Sequence, residues 1–84
     1  MISFIEDNDN PFDHTERLIG MPAGVEARIV RIAPGLPFIA TVIMPVDRVP
    51  EDAEGERVGV NIVMHHASPD LGDAQDWAIA WASR

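Results

Sequence analysis

Phe38-Ile39-Ala40-Thr41-Val42-Ile43-Met44 is an apolar, β-branched run closed by Pro45. Both alternating sets of side chains are mostly apolar. The run therefore predicts a central strand, either covered on both faces or leaving one face for a partner. Pro34-Gly35-Leu36-Pro37 stands just before it and is turn chemistry. Residues 25–33, Val-Glu-Ala-Arg-Ile-Val-Arg-Ile-Ala, read as a strand with mixed alternation. The Pro-Gly turn then pairs the two as an antiparallel hairpin with a loop of four or five residues.

Downstream, residues 58–66 alternate again and predict a third strand. Val58, Val60, Ile62, Met64 and His66 share one face, and Gly59, Asn61, Val63 and His65 the other. The segment between, flanked by Pro45, Pro50 and Gly55, is expected to be a loop. At the carboxy end, Ala74, Trp77, Ala78 and Trp81 fall at helical i, i+3, i+4, i+7 spacing. Asp73 is the expected cap, because Gly72 weakens an earlier start, and the helix would cover 73–84. A strand would instead align Trp77, Ile79 and Trp81 on one face; the alanines favour the helix. Near the amino end, Glu6-Asp7-Asn8-Asp9-Asn10-Pro11 is turn chemistry. Residues 13–20 then predict a short helix, with Asp13 as cap, Glu16 completing a capping box and Gly20 closing it. The expected fold is one α+β domain spanning 1–84: a small antiparallel sheet of three or four strands, a short N-terminal helix and a C-terminal helix.

With 84 residues the chain has room for one core of radius of gyration ~12 Å, but not for a deep cleft between lobes. No apolar run reaches the ~18–20 residues of a membrane span, and the start Met-Ile-Ser-Phe-Ile-Glu-Asp lacks signal-peptide character. There is no Cys, which removes disulfides, thiolate metal sites and a Cys nucleophile, and a reducing cytoplasmic setting is expected. None of the hydroxyl residues lies in a Gly-x-Ser-x-Gly elbow, and no phosphate-cradling glycine loop occurs. The expectation is a protein without catalysis and without a cofactor.

Charge carries the most information. The net charge is −8, and all six bases are Arg. Such a chain cannot build the basic stripe that direct nucleic-acid binding needs, but it suits a basic protein surface. The carboxylates fall in two blocks. Glu6, Asp7, Asp9, Asp13 and Glu16 stand against Arg17, a net of −4. Asp47, Glu51, Asp52, Glu54 and Glu56 stand against Arg48 and Arg57, a net of −3. Solubility alone explains some of this acidity. In a meander the two blocks can also share a rim, attract Arg and Lys at long range, and stand in for a phosphate backbone. These ten residues are the candidate partner-binding set.

In size, acidity, absence of Cys and runs such as Glu51-Asp52-Ala53-Glu54-Gly55-Glu56, the whole chain resembles small phage- or mobile-element-encoded inhibitors, among them anti-CRISPR proteins. That resemblance is one of profile, and it carries over no individual contact residue. It implies an α+β monomer or dimer that binds stoichiometrically to the basic DNA channel of a CRISPR effector complex.

Two other classes compete. A small metal-binding domain or metal-dependent enzyme would use His65-His66 with His14, Asp70 and Asp73 as ligands, although adjacent strand residues point to opposite faces. A homo-oligomeric subunit, a homodimer for instance, would use the 38–44 strand as its interface. Trp77 and Trp81 serve as core-packing residues or as interface anchors.

Overall fold

The computed structural model describes residues 2–7 and 11–83. Its elements in chain order are β1 (Ser3–Glu6), β2 (His14–Ile19), β3 (Glu26–Arg31), β4 (Phe38–Pro45), a 3-10 turn (Val46–Arg48), β5 (Glu56–Val58), β6 (Asn61–Ser68) and α1 (Leu71–Ala82). The strands form one antiparallel sheet in the order β1-β2-β3-β4-β6-β5, with α1 lying across one face. This corrects the expected three- or four-stranded sheet with an N-terminal helix: the described residues form six strands, residues 14–19 are one of them, and the one helix among them is the expected C-terminal one.

β4 is central, between β3 and β6, and its two faces have different fates. Phe38, Ala40, Val42 and Met44 are buried, while Ile39, Thr41 and Ile43 on the other face are only half-buried. Of the two outcomes open to that apolar run, one face is left uncovered. The two strands pair as the expected antiparallel hairpin, but the loop between them is six residues, 32–37, and not four or five. Leu36 N–H donates to Ala33 O at 3.2 Å, with Pro34 and Gly35 between them and Gly35 at φ 88°, the type II pattern.

Residues 14–19 are extended because their burial alternates with period two. His14, Glu16 and Leu18 face the helix side, and Thr15, Arg17 and Ile19 face away. The residues that mimic a capping box have other partners. Asp13 accepts from Arg31, Nε at 2.7 Å and Nη2 at 2.6 Å, and Glu16 is buried. Tertiary contacts thus override a weak local helix signal. A second correction concerns residues 58–66, which are not one strand. Gly59, at φ 61°, opens a two-residue turn between Val58 and Asn61, the II′ arrangement with Gly first, and leaves Val60 77% exposed. Beyond that turn the expected alternation holds, with Ile62, Met64 and His66 towards the helix.

α1 starts earlier than the expected Asp73. Asp70 is the cap, its Oδ1 accepting from Gly72 N–H at 3.3 Å, and its own N–H donates to Ser68 Oγ at 3.1 Å. Gly72 is tolerated because it lies in the first turn. The buried stripe is Ala74, Ala78 and Ala82, with Leu71, Trp77, Ile79 and Trp81 half-buried on its flanks. Methyl-sized side chains let the helix axis sit low on β4, above the fully buried Val42, Met44, Ile62, Met64 and Ile29. The resulting radius of gyration is 12.6 Å.

Ala78 is fully buried in this seam. We expect Ala78→Leu to lift the helix and cost about 1–3 kcal/mol, lowering Tm by roughly 4–8 °C per kcal/mol. Urea and thermal unfolding by circular dichroism check this. An unchanged midpoint would mean that α1 does not pack through its alanines.

Candidate functional site

The sheet order decides what the acidic blocks can do together. Glu6 lies on β1 and Glu56 on β5, the two opposite edges of the sheet, so the first block and the 47–56 loop do not share a rim. Within the first block the residues part ways. Glu6 and Asp7 are exposed, and Asp13 is engaged by Arg31; Asp9 is outside the described residues. Glu16 is only 5% exposed. Its Oε1 accepts from Gln75 Nε2–H at 2.8 Å and its Oε2 from His14 Nε2–H at 3.1 Å. Glu16 therefore ties β2 to α1 from inside, and its carboxylate is not displayed to a partner.

The second block is different. Asp47, Glu51, Asp52, Glu54 and Glu56 are all exposed, and they follow one another from the 3-10 turn into the β5 edge. Three contacts hold this loop in place. Arg57 Nη2 donates to the Glu51 carbonyl at 2.9 Å, Val46 N–H donates to Val60 O at 2.9 Å, and Ala53 N–H to Pro50 O at 3.0 Å. Gly55 also sits hard against β6, where a Cβ would come within 2.7 Å of Val63 O. The carboxylates are thus presented from an anchored backbone.

The paired histidines separate as the strand geometry requires. His65 faces the open side and shares a 2.9 Å hydrogen bond with Thr41. His66 faces the helix, stacks on Trp77 at 5.2 Å between centroids, and donates from Nε2 to Asp73 Oδ2 at 2.9 Å. Among the described residues no group of three His, Asp or Glu side chains converges as a metal site. In the next row of the same sheet face, Phe38 meets the His14 ring edge-on at 5.5 Å, and the Arg31 guanidinium lies 4.4 Å over its ring. These polar pairs close the helix-covered layer where the alanine stripe does not reach.

One surface escaped the sequence reading. The uncovered sheet face carries a groove of about 610 Å³ lined by Arg17, Ile19, Glu26, Arg28, Thr41 and Ile43. Alternation along β3 and β4 was the available signal. It could not find Arg17, because residues 13–20 read as a helix.

No protein-family model, no curated protein and no solved structure matches this chain. Fold and surface chemistry therefore carry the functional reading. Among the described residues no helix is long and apolar enough to cross a membrane.

Hydrogen bonding to His66, then to Ser68, holds the Asp73 carboxyl below its ordinary value. Its ionised form is favoured in the folded state, so the stabilisation is present above the unfolded carboxylate pKa. It is lost as pH falls through the lower folded value. Carboxyl-detected NMR titration should place Asp73 below the ordinary aspartate value, and His66→Ala should raise it towards that value. If the midpoint does not move in that variant, His66 is not the main cause.

Proposed function

We propose that this chain is a non-enzymatic binding protein whose acidic 47–56 edge occupies a basic, nucleic-acid-binding surface of a partner protein. The observation that carries this reading is the anchored loop with its five exposed carboxylates, Asp47, Glu51, Asp52, Glu54 and Glu56. An anchored backbone loses little entropy on binding, so charges held on it act as a pre-organised array. A net charge of −8 adds long-range attraction and speeds encounter with a basic surface. The chain would then exclude nucleic acid by stoichiometric occupancy, with no reaction.

The reading is narrower than a mimic built from both acidic blocks. Glu6 and Asp7 lie at the far edge and do not join the same contact, and Glu16 serves the fold. The profile resemblance to anti-CRISPR inhibitors makes the DNA channel of a CRISPR effector complex the first partner to test. A cytoplasmic setting accords with that partner and with the absence of Cys.

Glu51→Arg with Asp52→Arg tests the proposal. The Arg57 bond goes to the Glu51 backbone carbonyl and survives the change. Stability should shift by less than about 0.5 kcal/mol. Affinity for the captured partner should fall by about tenfold or more, since like charges would then face each other. Pull-down from nuclease-treated host lysate at low and raised salt, followed by competition with DNA, measures this. Equal capture of partner by the reversed variant would sink the acidic-edge reading.

A further inference from the structure

The open face of the sheet carries its charges in two adjacent cross-strand rows of opposite sign. One row runs Ile5–Arg17–Arg28–Thr41–His65 across β1, β2, β3, β4 and β6. The next row towards the β5–β6 turn runs Glu26–Ile43–Val63–Glu56 across β3, β4, β6 and β5, with Ile19 beside it on β2. On the other side of the arginine row lie Thr15, Val30, Ile39 and Ala67. The face is thus aliphatic, with a guanidinium row and a carboxylate row next to each other.

Arg17 and Arg28 are direct cross-strand partners, a like-charge arrangement that is unfavourable by itself. Neither makes a hydrogen bond or ion pair among the described residues, in a chain rich in carboxylates. If the aliphatic side chains around it are covered, the Arg28 guanidinium needs a counter-charge, and none among the described residues is in contact with it.

We propose that this face packs against the same face of a second copy of the chain, forming a two-layer sandwich dimer. A two-fold axis running across the strands, between the two rows, sets Glu26 of each protomer against Arg28 of the other. The same operation sets Ile43 against Thr41 and Val63 against His65. At the Glu26–Arg28 pair the surface is therefore self-complementary, as an isologous interface has to be, while Arg17 comes to lie over Ile19 of the other protomer. Sheets packed face to face stand about 10 Å apart, a gap that Arg and Glu side chains span. Six strands at about 4.8 Å spacing and roughly 20 Å length give a footprint on the order of 500 Å² before side-chain relief. With that relief it approaches the ~800 Å² per partner of a standard interface. Asp47, Glu51, Asp52 and Glu54 precede β5 and stay outside the sandwich, while Glu56 ends the carboxylate row at its border.

The test combines mass with a charge swap. Analytical ultracentrifugation at micromolar concentration should give twice the 9.2 kDa chain mass. Arg28→Glu sets carboxylate against carboxylate across the axis and should weaken the dimer by about a hundredfold. The double swap Glu26→Arg with Arg28→Glu restores opposite charges and should recover the dimer to within about tenfold. A wild-type chain that sediments as a monomer up to ~100 μM overturns the proposal, whether a small anion or another protein then covers the face. So does an Arg28→Glu variant that dimerises undiminished. Should that variant fail to fold, isotope-filtered NMR on mixed-labelled wild type decides. Contacts between the Ile43 methyls of one protomer and the Thr41 methyl of the other support the sandwich, and their absence refutes it.

Discussion

One helix has to cover six strands. α1 spans twelve residues, about 18 Å of axis, and it makes its contacts over β4, β3 and β6. Its alanine stripe lets it sit low on β4, which concentrates the fully buried side chains beneath it. Beyond its reach the two sides of the sheet differ. Towards β2 the seal is polar, with Glu16 held by Gln75 and His14, and Asp13 holding Arg31 over Phe38. A buried carboxylate is costly unless its oxygens are hydrogen-bonded, and here both are. Towards β5 the edge is open among the described residues, and the strand is three residues long and exposed throughout.

The same shortage of helix leaves the second sheet face bare. A protein of this size cannot bury both faces of a six-stranded sheet within one chain, so the aliphatic side chains of β3, β4 and β6 remain half-buried there. Charge is distributed accordingly. Most carboxylates lie on edges and loops, where water solvates them, while two of the six arginines lie on the open face. An acidic edge and a mixed apolar and cationic face are separate surfaces on one small molecule, and each calls for a partner of different chemistry.

The middle and the carboxy end of the chain were legible because burial there is periodic and the punctuation is strong. Pro34-Gly35 marks one turn, Phe38–Met44 is too apolar and β-branched for a loop, and Ala74, Trp77, Ala78 and Trp81 stand at helical spacing, although Gly72 hid the true cap at Asp70. The amino-terminal third was misread because Asp13, Glu16 and Gly20 fall at capping positions. His14, Glu16 and Leu18 alternate correctly for a strand, but two of the three are polar, so no hydrophobic alternation is visible. Glu16 counted as a surface acid because its partner, Gln75, is 59 residues away in sequence. β5 was hidden for a different reason. Val58 and Val60 continue the alternation of β6, and only the positive φ at Gly59 shows that the chain turns there.

The central strands, the Pro-Gly hairpin, the carboxy-terminal helix and the excess of negative charge were all legible along the chain. Those features rest on local periodicity, turn chemistry and composition, which need no knowledge of distant neighbours. The tertiary structure alone decided the strand order, and with it the separation of the two acidic blocks, the burial of Glu16 and the alignment of Arg17 beside Arg28 on the open face. Strand order and register are set by contacts between residues far apart in the chain. No window along the sequence shows which side chains will stand opposite one another.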